Sequence, residues 1–300
     1  MCGIVGLMLK HKEHRPTLGR QVLPMLDCMA ERGPDSAGLA LFGEPVAEDQ
    51  RRFSLFSYEG ETDWLALHGA IEQELHRDGQ MHPQGDRASL VSGVKPAELR
   101  QWLAVRAPGV RIFSVGRSLE IFKNAGNACD IARRYDFRSF SGSHCIGHTR
   151  MATESRVSPM HAHPFTAGED FCLVHNGSLS NYHMIRRQLE AEGVRFETDN
   201  DSEAACRFLQ WRVSCGDTLE RAIEVGFSEL DGFYTFLIAT RDEITLVRDG
   251  FACKPAVVAE TDQYVAISSE FRSMAHLQGI QEANLFEPLP ERIYSWKVTQ

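Results

Sequence analysis

"MCGIVG", residues 1–6, puts a cysteine directly behind the initiator methionine and runs at once into a short aliphatic stretch. Chain termini ordinarily fray. An apolar run at positions 3–9 instead reads as a buried strand that anchors the terminus. Gly3 and Cys2 are both small, which suits removal of Met1 by an aminopeptidase. Cys2 would then carry a free α-amine with a reference pKa of ~7.7–8.0, far closer to neutrality than a lysine. Thiol and amine together are a nucleophile and its own base, with no histidine required.

Working outward, residues 17–31 read as a helix. Leu18, Val22, Met25, Leu26 and Met29 recur at helical spacing, and Gly33-Pro34 ends it. "SAGLALF" (36–42) reads as a second strand. Residues 45–110 are charged and rich in Gly, Gln and His, with helical pieces near 62–76 and 96–106, and read as an elaboration inserted between core strands. It reads either as a docking element for a partner or as a solvated decoration, and 77–90 within it as a stretch whose removal would spare the fold. "RIFSV" and "LEIFK" read as a hairpin. From residue 144 short apolar strands return, separated by helices at about 179–192, 201–213 and 217–228. Ser180 or Asn181 caps the first of these and Gly193 ends it. Many short strands in hairpin-like succession with grouped helices indicate an α+β layered fold rather than a doubly wound parallel sheet.

The formal net charge is −9, and no basic run could track a phosphate backbone, so nucleic acid is not an expected partner. No apolar stretch approaches the ~18 residues that would span a bilayer. The segment "GIVGLML" is too short and wrongly flanked for a signal peptide. The expectation is a cytoplasmic protein without membrane attachment. None of the eight cysteines forms a C-x-x-C pair or a zinc-type cluster. Seven read as buried, reduced and inert, and no metal site is expected.

Three further segments bear chemistry. "GHTRMAT" (147–153) puts Arg150 at the end of an apolar strand, where a guanidinium can hold a carboxylate bidentately. The plainer reading is a surface arginine. "VHNGSLSN" (174–181) offers an Asn176 amide followed by the Gly177 N–H, a pair able to point at one oxyanion, or else an ordinary Asn-Gly turn. "TDNDSEAA" (198–205) places Asp201 at a helix start, as a ligand or as an N-cap.

In order along the chain, "MCGIVG", "ERGPDSAG" (31–38), "GHTRMAT", "AHPF" (162–165), "VHNG", "DSE" (201–203), "LDGFYTFLI" (230–238), "RDGFACKPAVV" (248–258) and "ISSEFRSM" (267–274) resemble the class II glutamine amidotransferases. These belong to the N-terminal nucleophile hydrolases. The resemblance implies a four-layer αββα sandwich and a single type 2 amidotransferase domain over 2–300. It implies that Cys2 attacks the γ-amide carbon of L-glutamine and that Asn176 and Gly177 hold the oxyanion. It implies that Arg150 binds the substrate α-carboxylate with Thr153 adding a contact, and that Asp201 binds the α-ammonium. Relatives carry Trp after the arginine and His-Gly after Ala-Thr. Here Met151 and Glu154-Ser155 stand there, so no histidine is carried over from that segment. His163 in "AHPF" reads as a packed, hydrogen-bonded histidine.

No P-loop, G-x-G-x-x-G or iron–sulfur cysteine set is present. The strand near 292–298 reads as the last of the glutaminase domain. The ammonia acceptor is therefore expected on a separate synthase subunit, or else free ammonia is the product. The insertion and residues 115–132 resemble stand-alone glutaminase subunits of glutamate synthase-like enzymes, including N-methylglutamate synthase. Flavin and iron–sulfur are then expected only on partner subunits, with no cofactor in this chain. The alternatives are a glutaminase serving nucleotide or amino-sugar amidation, and a non-catalytic scaffold of the same fold.

Overall fold

A computed structural model describes residues 2–58, 60, 62–152 and 156–299. In chain order it contains strands β1 (Gly3–Leu9), β2 (Ser36–Phe42), β3 (Arg51–Ser57), β4 (Gly79–Gln84), β5 (Arg87–Ser92), β6 (Val110–Gly116), β7 (Leu119–Ala125) and β8 (His144–Arg150). The series continues with β9 (Phe165–Thr166), β10 (Phe171–Leu179), β11 (Gly232–Thr240), β12 (Glu243–Arg248), β13 (Val257–Glu260), β14 (Tyr264–Ser268), β15 (Asn284–Phe286) and β16 (Tyr294–Lys297). The helices are α1 (Leu18–Met29), α2 (Trp64–Leu75), α3 (Pro96–Arg106), α4 (Ala128–Arg134), α5 (Tyr182–Ala191), α6 (Asp201–Ser214) and α7 (Leu219–Glu229).

Side-chain alternation along the strands builds the layers. In β1, Ile4 and Met8 face one way and Val5, Leu7 and Leu9 the other. Ile4 and Met8 join Ala40, Ile121 and Ile146 against Val174, Leu237 and Leu246. This apolar filling lies between a seven-stranded sheet, ordered β15-β13-β14-β1-β8-β2-β7, and a five-stranded sheet, ordered β16-β12-β11-β10-β9. The opposite face of the larger sheet packs on α1 and α4 through Leu18, Val22, Met25 and Ile131. The outer face of the smaller sheet packs on α5, α6 and α7 through Ile185, Leu209 and Ile223. The result is a four-layer αββα sandwich, as the resemblance implies. Gly6 lies on the inner face, where a Cβ would stand 2.7 Å from Leu237 Cδ2, so the Leu237 side chain of the facing sheet packs directly on the β1 backbone there.

The insertion departs from its sequence reading. It forms a third, four-stranded sheet, ordered β4-β5-β3-β6, with α2 and α3 and a core of its own that includes Phe53, Leu55, Trp64, Leu90, Leu99 and Ile112. It reaches to Gly116 rather than 110. Accordingly, 111–115 and 119–123 are not a paired hairpin: β6 pairs with β3, whereas β7 pairs with β2 in the large sheet. Both segments are apolar and both neighbour a turn, so local pattern cannot say which sheet each one joins. Residues 77–90 contain β4 and most of β5, an inner strand whose Ala88 and Leu90 are buried, so they are not removable. The charged composition there misled because Arg87 is itself buried. Its Nη2 lies 3.2 Å from Glu120 on β7, and Arg52 on β3 reaches the same carboxylate at 2.8 Å. That ion triad ties the inserted sheet to the sandwich.

The cysteines also divide differently from expectation. Cys145, Cys172 and Cys206 are buried, Cys28 and Cys129 half-buried, and Cys215 and Cys253 exposed. At α5 the N-cap is Asn181, without a side-chain cap bond. Its amide instead accepts from Asp231 N–H and donates to the Glu229 carbonyl.

Candidate active site

At one end of the sandwich the apolar filling turns polar. On β1 the inward series Met8, Gly6, Ile4 continues to Cys2. On β8, Ile146 is followed by His148 and Arg150, and on β10, Val174 is followed by Asn176. Because β1 and β8 run antiparallel with Gly3 opposite Thr149, these polar ends coincide. They open onto a cavity of about 340 Å³ that is also lined by His163, Gly177, Asp201 and Lys254.

The Cys2 carbonyl is held from two sides, by Asn176 Nδ2 at 3.3 Å and Arg32 Nε at 3.1 Å. Arg32 also pairs with Glu270. The Ile4 N–H donates to Ser269 Oγ at 3.0 Å, so the residue after Gly3 is already fixed. Cys2 Sγ lies 3.8 Å from the Met151 carbonyl. Gly3 is required by packing, since a Cβ would sit 2.8 Å from Thr149 Oγ1 and 3.0 Å from Met29 Cβ.

Arg150 is not a surface arginine; it is 5% exposed. The "ERGPDSAG" segment builds its turn. A Cβ on Gly33 would fall 2.4 Å from the Thr149 carbonyl carbon. The Asp35 N–H donates to the Arg150 carbonyl at 3.0 Å, and Asp35 Oδ2 accepts from Ala152 N–H at 2.8 Å. Arg150 Nη1 donates to the Arg156 carbonyl at 3.1 Å. Burial draws the guanidinium pKa down, opposed by Cys2 and by the carboxylates of Asp201, Asp35 and Asp199.

Asn176-Gly177 is not a turn but lies within β10, opposite Thr235 and Tyr234 of β11. Beyond Leu173 the other edge of β10 is unpaired by β9. The His175 carbonyl accepts from His148 Nε2 at 2.9 Å, and the Leu179 N–H donates to Asp201 Oδ2 at 2.9 Å, both across that open edge. In an antiparallel strand the N–H and C=O of one residue point to the same side, and alternate residues agree. The Gly177 N–H, between His175 and Leu179, therefore points away from β11 toward the cavity it lines. Asp201 is the first residue of α6 rather than its cap; that role belongs to Asn200, whose side chain accepts from Ser202 N–H. Thr153 lies outside the described residues.

A glutamine amidotransferase domain model matches residues 148–276, a span that contains Arg150, Asn176, Gly177 and Asp201. The chain is 44% identical over 300 residues to the glutamine amidotransferase-like protein GlxB of Rhizobium meliloti, covering 99% of this chain and 98% of that one. It is 30% identical over 311 residues to a protein of Methanothermobacter thermautotrophicus that is also named for glutamine amidotransferase, covering 98% and 99%. The chain belongs to the class II glutamine amidotransferase family. The Bacillus subtilis glutamine phosphoribosylpyrophosphate amidotransferase structure shares the fold, with a TM-score of 0.61 at 18% identity, over 99% of this chain and 49% of that one. Among the described residues, no helix is long and apolar enough to cross a membrane, and no group of three or more His, Cys, Asp or Glu is placed to hold a metal ion.

Several residues around this cavity had no role assigned from sequence. Arg32, Asp35 and Glu270 hold the backbone of Cys2 and Arg150, and Lys254 lines the cavity. All lie inside segments that resemble the family, but their roles depend on contacts between distant strands. His163 was expected to be hydrogen-bonded. It is packed against His148, with ring centroids 4.0 Å apart, yet neither of its nitrogens has a partner among the described residues.

The amidotransferase carries four buried histidines whose pKa values are lowered, chiefly by burial: His144 to about 4, His148 to about 3, and His163 and His175 in the same direction. For His175, Asp201 and the Phe233 carbonyl partly offset the effect. Above the unfolded value near 6.5 these rings are neutral in both states, and their contribution to stability is complete. As pH falls below ~6.5 the unfolded chain takes up protons that the folded one refuses, at a cost of about 1.4 kcal/mol per pH unit for each such histidine. Calorimetry should therefore show the melting temperature falling steeply from pH 6.5 to 5. A flat profile over that window would contradict the burial of neutral imidazoles.

Proposed function

We propose that this chain hydrolyses L-glutamine to glutamate and ammonia through a γ-glutamyl thioester on Cys2. The observation that carries the reading is the convergence of Cys2, Arg150, Asn176, Gly177 and Asp201 on one cavity of about 340 Å³. Cys2 Sγ attacks the γ-amide carbon, and the α-amine freed by loss of Met1 takes the thiol proton and passes it to the departing ammonia. Asn176 has two amide protons and one carbonyl partner at Cys2, which leaves a donor for the oxyanion beside the Gly177 N–H. Arg150 holds the α-carboxylate, with Thr153 adding a contact. Asp201, with lone pairs to spare beyond Leu179 and Ser202, holds the α-ammonium. Water then releases glutamate.

On this reading the ammonia passes to a separate synthase subunit in the cytoplasm, of the glutamate synthase-like or N-methylglutamate synthase kind. Flavin and iron–sulfur belong to that partner. Support for the acceptor comes from the resemblance of the insertion and of residues 115–132.

A glutamine-analogue electrophile tests the chemistry. Peptide mapping should find it on Cys2 and on none of the other seven cysteines, and the intact mass of active protein should lack Met1. Labelling elsewhere with Cys2 unmodified, or full turnover by protein that retains Met1, would sink the mechanism.

A further inference from the structure

Two carboxylates two residues apart, Asp199 and Asp201, line the cavity, whereas an α-amino acid brings a single ammonium. The catalytic reading uses Asp201. Both aspartates stand on one wall, built by the start of α6. Asn200 caps that helix through the Ser202 N–H. The buried Glu203 carboxylate accepts from the Glu197 N–H at 2.9 Å and from the N–H and hydroxyl of Thr198 at 2.7 Å each. The facing wall follows Arg150, whose Nη1 donates to the Arg156 carbonyl at 3.1 Å. Ser158 is extended, and its carbonyl accepts from the N–H groups of His161 and Ala162 at 3.1 Å each, which closes a tight turn. The Ala162 carbonyl ends that turn and accepts from the buried Lys123 at 2.9 Å.

His161 joins the two walls. Its Nε2 lies 2.9 Å from Asp199 Oδ1, and its Nδ1 lies 2.7 Å from Ser158 Oγ. A carboxylate only accepts, so Nε2 carries the proton and Nδ1 accepts from the Ser158 hydroxyl. In that tautomer the N–H and the lone pair of the ring are both met. The hydrogen bond from His161 holds the Asp199 carboxyl below its ordinary pKa, against a smaller opposing effect of burial. The His161 side chain is 15% exposed and that of Asp199 74%, so Asp199 is placed by this hydrogen bond rather than by packing. The Asp199 charge also acts on Arg150, as that of Asp201 does. Released from His161, Asp199 would compete with Asp201 for the substrate ammonium and with the substrate carboxylate for Arg150.

We propose that His161 is a positioning residue for glutamine recognition. By engaging Asp199 and Ser158 together it fixes the wall that carries Arg150 against the wall that carries Asp201. It also occupies Asp199, so that Asp201 receives the α-ammonium. The inference rests on the reading of Arg150 and Asp201 as the α-carboxylate and α-ammonium sites. No bond of the substrate is made or broken by this clasp, so its effect falls on binding.

The test is His161→Phe in the full chain, beside His161→Gln, whose amide restores an N–H toward Asp199, and Asp199→Ala. In His161→Phe the KM for L-glutamine should rise about fivefold, the upper end for a partly exposed charged contact. The kcat should stay unchanged, the signature of binding lost equally in ground and transition states. His161→Gln should recover most of the KM. Combining His161→Phe with Asp199→Ala should raise KM no further than the worse single substitution, because both act through one contact. Equal losses in kcat and kcat/KM with a lowered melting temperature would assign His161 a structural role. Additive rises in KM would show that the two residues act separately. Either result, or an unchanged KM in His161→Phe, overturns the proposal. Arg150→Lys, measured in parallel, separates the clasp from the reading beneath it. Having lost the planar fork, it should raise KM more than His161→Phe does. If Arg150→Lys raises KM and His161→Phe does not, only the clasp fails. If neither raises KM, the assignment of the α-carboxylate site fails as well.

Discussion

Cys2→Ala should abolish glutamine hydrolysis while leaving the folded protein unchanged. The expected loss in kcat is about 10⁴-fold or more, as for removal of other covalent nucleophiles. The fold should survive because the contacts at this position are made by the backbone. Asn176 Nδ2 and Arg32 Nε both donate to the Cys2 carbonyl, which alanine keeps. The side chain's own contact is a thiol 3.8 Å from the Met151 carbonyl. Steady-state glutaminase assays beside thermal melts of both proteins provide the check. Residual turnover within tenfold of wild type would move the nucleophile elsewhere, and a large drop in melting temperature would show that Cys2 is structural.

Gly177→Ala should lose both activity and stability, for reasons that coincide at one atom. Gly177 has φ of +153°, a region L-residues rarely adopt. A Cβ there would fall 1.8 Å from the Phe233 carbonyl oxygen on β11 and 2.7 Å from His175 Nε2. Neither is a flexible chain end: the first is ladder backbone, and the second belongs to a ring held by Ser202 at 2.9 Å. The strand must therefore shift, which turns the Gly177 N–H away from the cavity. Loss of one oxyanion donor costs ~10²–10³ in kcat, and the strain should lower stability by about 2 kcal/mol or more. Denaturant unfolding and kcat measured on the same preparation test both parts. A variant with wild-type melting and turnover would show that Gly177 is neither conformationally required nor an oxyanion donor.

The amidotransferase identity, the strand over residues 3–9, and helices close to α1, α3, α6 and α7 were legible in the chain, as were Cys2, Arg150, Asn176 and Asp201 as candidates, which the fold brings to one cavity. Their signals are local: a motif, a period of two or of 3.6, a helix start. Alternation along β1, β8 and β10 also explains why Cys2, Arg150 and Asn176 meet, because each continues the inward-facing series of its strand. The inserted sheet was not legible. Its inner strand carries a buried arginine whose partner, Glu120, lies 33 residues away and satisfies it only once folded. Composition then read as solvent exposure. The separation of β6 from β7 was hidden for a related reason, since two adjacent apolar segments look alike whether they pair with each other or join different sheets.

What the sequence determined by itself is which residues can do the chemistry, because side-chain reactivity and strand periodicity are properties of short stretches. The tertiary structure alone decided which groups are denied their usual partners. Asn-Gly became part of a strand with an open edge instead of a turn, Arg150 was buried under the 31–38 turn, and His163 was pinned by Lys123 with two unmet nitrogens. Burial, register and close backbone approach depend on strands far apart in the chain, and no local pattern records the hydrogen bond that a folded neighbour withholds.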